Sequence, residues 1–462
     1  MKFRKFGQMV LAAVATAVLV GGAVSCRNDY TTAFLFTVGS QYNQLASYRV
    51  SYETGGLTAA PGSPYGSGGT NPVRVLVLSG GRYIYVLNNG SAQTDSKGNL
   101  TYNGANISVF NVGGYGNLAF QTSYTSQGSN TTRILTDSSG KYLFALDTYV
   151  PVLNSNGTFS STFVPQSSAS ASYPCQGPDG KFYPTGGITV FSIDGNTGRL
   201  SIITNQQQQA STSNGSVQLT YFPVGCFPVD FTISGNYVLT ADAGASAAND
   251  STGKTVWSGD LQTVFPYQLN AANGQLTLTQ NAPLAMGTNK MTAISTAKAS
   301  SPTGASAVYV LDGGLNEIRS YTVGSNGILQ LQSSGVTQNN STASNPTALI
   351  VDSQGKYLYV ANSGPTTGTV NPISQITGFN IVDATSGALS QIAGEPFGSG
   401  SGISCILEDT SNQYIYTASF NDSQITGRIL DPKSGSLTLL RRGSTFNTVG
   451  NPTWCAISGR TS

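Results

Sequence analysis

Residues 345–362 read Asn-Pro-Thr-Ala-Leu-Ile-Val-Asp-Ser-Gln-Gly-Lys-Tyr-Leu-Tyr-Val-Ala-Asn, and this stretch decides the fold. An apolar run, a tight turn at Asp352-Ser-Gln-Gly355 and a second run alternating aromatic with apolar residues spell two half-buried strands. Runs related to 357–362 recur at 83–88, 142–147, 237–242, 307–312 and 414–419. A variable loop follows each, then a third strand such as Ile376–Ile381 or Ile188–Ile193, then a short turn with glycine. The fourth strand begins at a leucine two residues after that glycine. The pair occurs seven times, as Gly55/Leu57, Gly116/Leu118, Gly198/Leu200, Gly274/Leu276, Gly327/Leu329, Gly387/Leu389 and Gly435/Leu437. Successive leucines lie 48 to 82 residues apart. A period of that size carried by strands predicts a propeller or solenoid array, not two or three unrelated domains.

Each unit reads as a four-stranded antiparallel meander, a-b-c-d. Blade two starts near Asn71-Pro72, three near Thr131, four near Phe227, five near Asn289, six near Asn345-Pro346 and seven near Gly402. Residues 33–60 supply strands b, c and d of a first blade but no strand a, while the last segment, 451–457, matches Asn345-Pro346 onward without a blade of its own. The C-terminus is therefore expected to supply the innermost strand of blade one. The predicted fold is all-β: a seven-bladed β-propeller whose ring is closed by the C-terminal strand, which covers both open sheet edges.

In a meander the a–b and c–d turns lie on one face and the b–c and d–a connections on the other. The a–b and c–d turns are expected to be short. The long segments are 89–105, 148–186, 243–260 and 363–374, all b–c, and 204–226, which is d–a. All fall on one elaborated face, where binding sites of a rigid scaffold usually sit.

Lys2, Arg4 and Lys5 followed by the apolar run Met9–Val20 predict an export signal over residues 1–25. That run is too short for a bilayer of about 30 Å. Ala23-Val24-Ser25-Cys26 allows two readings: a lipobox that makes Cys26 a lipidated first residue, or ordinary small-x-small cleavage. Residues 26–32 are then a tether and 33–462 the propeller. Without the signal, 19 Lys and Arg face 20 Asp and Glu, so nothing attracts a phosphate backbone and nucleic acid is excluded as a partner. No second apolar run is long enough to span a membrane, which leaves a lipid anchor at Cys26 as the expected membrane contact. The expected location is the bacterial cell envelope, and the expected state a monomer. Four further cysteines, Cys175, Cys226, Cys405 and Cys455, allow three pairings. The blade map favours Cys175–Cys226, in neighbouring loops, and Cys405–Cys455, in strands a of blades seven and one. The chain has no histidine and no CxxC spacing, so no metal site is expected. No cofactor is implied either.

The strand-b motifs Tyr85-Val-Leu-Asn88, Tyr309-Val-Leu-Asp312 and Tyr359-Val-Ala-Asn362, with the phased glycine turns and Asn-Pro starts, resemble the YVTN-type repeat of the seven-bladed propeller lactonases. That family includes 6-phosphogluconolactonase-like proteins and a muconate-lactonising branch, and the resemblance covers roughly 33–458. It implies a lactone, sugar acid or other small anion as ligand. The family is expected to use histidine, arginine and glutamate at the channel mouth, and its histidine carries over to no position, because there is none here.

Two constellations are candidates for a site. Aligned strands a put Arg74, Arg133 and Asp230 at one position in three consecutive blades, with Thr292, Ala348, Cys405 and Trp454 completing the ring. They read either as an anion site, with Arg74 and Arg133 gripping a carboxylate or phosphate, or as an Arg–Asp network bracing the blades. The polar residues that end strands b, Asn88, Asp147, Asp242, Asp312 and Asn362, are either ligand contacts or turn-forming residues. If the protein is a lactone hydrolase, Asp242 or Asp147 would activate water and Arg133 would stabilise the oxyanion. The alternative is a non-catalytic binding or scaffolding propeller with an envelope protein as partner. Asp194 to Gly198 aligns with Asp383 to Gly387 and reads as a turn rather than a calcium loop. Trp257, Tyr149 and Tyr173, in long loops, either stack on a ligand or pack among themselves.

Overall fold

In the computed structural model, strand a of blade six, Pro346–Val351, pairs antiparallel with strand b, Tyr357–Asn362, then strand c, Gln375–Asp383, and strand d, Ala388–Gln391. The same a-b-c-d order builds seven sheets, with innermost strands Pro72–Val77, Ser129–Thr136, Pro228–Ser234, Met291–Thr296, Pro346–Val351, Ile403–Glu408 and Pro452–Gly459. The structure describes residues 30–459 apart from 155, 178, 213–214, 244–245, 250–254, 259–261, 280–283, 298–306, 325 and 366–373. The signal segment, Cys26 and the Trp257 side chain lie outside the described residues.

Blade one is completed from the far end of the chain. Its sheet runs Leu57–Ala59, Gln44–Ser51, Thr31–Gly39, Pro452–Gly459, with Phe36 opposite Ala456 and Val38 opposite Trp454. The seven-bladed ring closed by the C-terminal strand is therefore the observed fold. Two details differ from the sequence expectation. In blades one, three, four, six and seven a further short strand, such as Tyr65–Gly66 or Thr445–Asn447, rejoins strand c beyond strand d, so these blades have five strands. In blade five, strand a ends at Thr296 and strand b begins at Val308, a longer separation than the short turn expected there.

The apolar core lies between blades. Seven clusters each join two neighbours; one packs Tyr85 and Leu87 of blade two against Leu143, Phe191 and Leu200 of blade three. The strand-b tyrosines and the glycine turns are two halves of one contact across this boundary. The hydroxyl of Tyr85 donates to Gly198 O at 2.9 Å, Tyr359 to Gly435 O at 2.7 Å and Tyr416 to Gly55 O at 2.7 Å, always from one blade to the next. Ser47 and Ser320 do the same for Gly116 and Gly387. Gly435 sits at φ +71, and a Cβ there would stand 2.5 Å from Tyr357 Cδ1. Both the left-handed turn and the close approach of the tyrosine require glycine. Tyr359→Phe should cost about 1 kcal/mol by stranding a buried carbonyl, read as a lower urea midpoint at unchanged slope. An unchanged midpoint would show that the bond contributes nothing.

Candidate functional site at the channel mouth

Strand a enters from the elaborated face, and its first residues carry a bulge. In blade two Pro72 faces Asn88 but Arg74 faces Leu87, and in blade three Thr131 faces Asp147 while Arg133 faces Leu146. The residue after each bulge forms a ring: Trp454, Arg74, Arg133, Asp230, Ala293, Ala348 and Cys405, from blade one to blade seven. Sequence alignment places Thr292 in this ring; the observed register places Ala293 there. Met291, not Lys290, faces Asp312, because the Lys290 amide is spent on the Asp312 carboxylate at 3.0 Å.

Bulk and charge therefore sit on one side of the ring and small side chains on the other. The Arg74 guanidinium lies 4.0 Å from the centre of the Trp454 ring and that of Arg133 4.9 Å, both within cation–π range. Arg133 Nε stands 3.0 Å from Asp230 Oδ1, in a pair whose side chains are 16% and 8% exposed. Asp230 also accepts from its neighbour's amide, Phe231 N, at 2.9 Å and from Ile294 N of blade five at 3.1 Å. Arg74 Nη1 donates to Val73 O at 2.8 Å, and its buried Nε has no hydrogen-bond partner among the described residues. Burial first, and then the neighbouring Arg133, pull the Arg74 guanidinium down to about 9, with Asp230 opposing. The cluster holds two cations and one anion.

The bulged residues do a second job that sequence reasoning missed. Thr347 Oγ1 donates to Ile403 O at 3.1 Å, Ser404 Oγ to Pro452 O at 2.6 Å and Thr453 Oγ1 to Pro72 O at 2.6 Å. These bonds stitch blade six to seven, seven to one and one to two. The signal was the Asn-Pro-Thr recurring at 345–347 and 451–453.

The polar residues that end strands b are enclosed. Asn88, Asp147, Asp242 and Asp312 are 0% exposed and Asn362 1%. Asp312 accepts four backbone amides, from Asn289, Lys290, Gly314 and Leu315. The Asn88 amide donates to Ser67 O, Asn106 Oδ1 and Ser108 Oγ, and Asn362 bonds Asn339, Gln375 O and Thr377. Asp147 accepts from Ser126, Thr131, Thr189 and the Gly128 amide at 2.6 to 3.2 Å. Burial pushes its carboxyl up to about 6, against the pull of these four donors. Burial pushes Asp242 up to about 8, opposed only by the Thr240 hydroxyl. In this arrangement the side chains fasten loops, and the general-base role expected for Asp147 and Asp242 has no exposed carboxylate oxygen behind it.

On the elaborated face the loops of blades two, three and four join into one layer. Leu100 pairs with Phe163, and Cys175 with Trp257 through their backbones. Cys175 is also bonded to Cys226 across a Cα distance of 5.5 Å. Tyr149 stacks on Tyr183 and meets Phe163 and Phe227 edge-on, and Tyr173 contacts Phe163. These aromatics pack among themselves. On the innermost strands, Cys405 is bonded to Cys455 with the Cα atoms 5.9 Å apart, within the range a bridge allows although the two are one residue out of step.

The sequence matches no protein-family profile and no curated protein. Solved structures do match. A "putative 6-phosphogluconolactonase" from Bacteroides uniformis aligns at TM-score 0.61 and 12% identity, covering 93% of this chain and 100% of that one. A counterpart so described from Bacteroides fragilis gives 0.58 and 14%, covering 93% and 99%. The Pseudomonas aeruginosa periplasmic gluconolactonase PpgL gives 0.57 and 14%, covering 93% and 100%. At such identities the likeness establishes the propeller fold that these proteins share with this chain.

Proposed function

We propose that this chain is an exported, lactonase-like propeller that binds a small anionic, sugar-derived ligand at the channel mouth on its elaborated face. The observation that carries the reading is the uncompensated charge of the ring cluster: Arg74 and Arg133 share one carboxylate, and Arg74 Nε has no partner among the described residues. A half-buried guanidinium in excess over its counter-ions is a ready seat for a carboxylate or phosphate. Export is supported by the N-terminal sequence and by the periplasmic neighbour. The neighbours' descriptions supply the substrate class, a gluconolactone or its acid.

Titration calorimetry of the protein from residue 26 onward with gluconate, glucono-δ-lactone and inorganic phosphate tests the site. Arg74→Met keeps the packing on Trp454 and removes the charge. It should weaken anion binding about 10- to 100-fold, the loss of a charge-assisted bond of about 1.5–3 kcal/mol. Equal affinity in the variant would move the site elsewhere. A non-catalytic binding propeller is a second reading, favoured by the enclosure of Asp147 and Asp242 and by the absence of histidine from the sequence. Lactone turnover no faster than in buffer, alongside Arg74-dependent binding, would decide for it.

A further inference from the structure

Asp147 and Asp242 occupy the same place in consecutive blades, and their sockets differ in the residues that donate to the carboxylate. Asp147 faces Thr131 on strand a, and Asp242 faces Pro228. On strand c, Thr189 pairs with Ala145 two residues before the aspartate, and Phe265 pairs with Thr240 at the matching place. Gly128 and Gly225 each press against the carboxyl carbon, at 2.9 and 2.7 Å from a would-be Cβ. Two residues before these glycines stand Ser126 and Pro223. All three hydroxyls that donate to Asp147 are thus replaced by Pro223, Pro228 and Phe265 around Asp242. Among the described residues Asp242 has instead one hydroxyl donor, Thr240 Oγ1 at 3.0 Å, where blade three has Ala145, and its Oδ1 has no partner.

A carboxylate cannot stay enclosed in such a socket, because an unpaired buried charge is far costlier than a neutral acid. The socket wall is the d–a connection at Gly225, whose neighbour Cys226 is bonded to Cys175 in the loop layer. The blades whose loops build that layer, two, three and four, are those that contribute Arg74, Arg133 and Asp230 to the ring. We propose that Asp242 is a proton-operated latch: while protonated it lets the 222–228 connection close over it, and on ionisation it forces that connection, with the loop layer tied to it, away from the sheet.

Among the described residues, the titratable groups around it leave this behaviour to Asp242 alone. On strand c the Tyr267 phenol, which donates to Pro223 O at 2.8 Å, stays neutral, raised by burial and by Asp242 itself. Strand a carries Asp230, which faces Ala241 and is held by Arg133. Thr240 on strand b does not titrate, and Cys226 in the connection is disulfide-bonded. The burial that raises Asp242 to about 8 places the transition in mildly alkaline conditions. The effect on ligand access rests on the anion-site reading above; the latch does not, and its test uses no ligand.

Hydrogen exchange of the disulfide-intact protein between pH 7 and 9, corrected for intrinsic rates, reads the latch at the amides of 222–228. The matching connection at 126–131 in blade three is the internal control. Opening of 222–228 should increase about tenfold over the range while 126–131 stays level. Asp242→Asn should flatten the response. Pro223→Ser, which restores the hydroxyl present in blade three, should reduce it even if the asparagine variant folds poorly. A level response at 222–228, a parallel change in both connections, or an unaltered response in Asp242→Asn or Pro223→Ser would overturn the proposal.

Discussion

Deleting residues 452–462 should cost the protein its fold, not a single strand. The strand removed is the innermost of blade one, paired with Thr31–Gly39 along its length. With it go the Thr453 bond to blade two, the Trp454 ring under both arginines and the Cys405–Cys455 bridge. Three apolar clusters, between blades six and seven, seven and one, and one and two, lose side chains to the same cut. The ring then exposes a full strand edge at Thr31–Gly39, which invites edge-to-edge association. The expected outcome is loss of a cooperative melt and elution as aggregate. A truncated chain that melts as a monomer within a few degrees of the parent would refute the closure argument. The double variant Cys405→Ala/Cys455→Ala is the milder form. It removes a bridge spanning 50 residues of chain, for which loop entropy gives about 4 kcal/mol. It should lower the melting temperature while keeping a single transition.

Arg133→Ala should destabilise the protein by about 3–5 kcal/mol, because it leaves the Asp230 carboxylate in place without its cation. That carboxylate is 8% exposed and keeps two backbone amides, so it does not collapse into water. Asp230→Ala should cost as much or more, since it leaves both Arg74 and Arg133 against Trp454 without a counter-charge. The paired replacement Arg133→Met/Asp230→Leu should recover most of either loss. Urea unfolding of the four proteins checks the cycle, and additive single costs would show that the 3.0 Å contact is not an energetic coupling. For this reason a function test should not rest on Arg133→Ala: lost binding there would report lost structure. Arg74, whose partners are an indole and one carbonyl, is the cleaner probe.

The sequence made the fold legible because two signals ran in phase. The alternation in strands b and the glycines at φ +66 to +78 in the c–d turns both report backbone geometry, which local residues dictate. The orphan segment 451–457 made the closure readable too. Register was harder. In blade five Asn289-Lys290 imitates the Asn-Pro start, and the alignment slipped by one residue to Thr292. The short fifth strands, only two or three residues long, carry no periodicity to find. Of the site, the positions of Arg74, Arg133, Asp230 and Trp454 were readable from strand a alone. That one indole lies under both guanidiniums was not, since it depends on side-chain direction across three blades. The contrast between Asp147 and Asp242 was invisible for the same reason. It is decided by residues on strands a, b and c and on a distant connection.

The tyrosine-to-glycine contacts bear on what may be rearranged. Each bond leaves strand b of one blade and ends on the glycine turn of the next, and every turn offers the same glycine. On the plain face, blades two, six and seven thus meet their next neighbours through the same bond, and that bond names no particular blade. The opposite rim obeys a different rule. Trp454, Arg74, Arg133 and Asp230 act on one another only as consecutive neighbours. A blade inserted between two and three would split the charged quartet in half. The mouth requires this order.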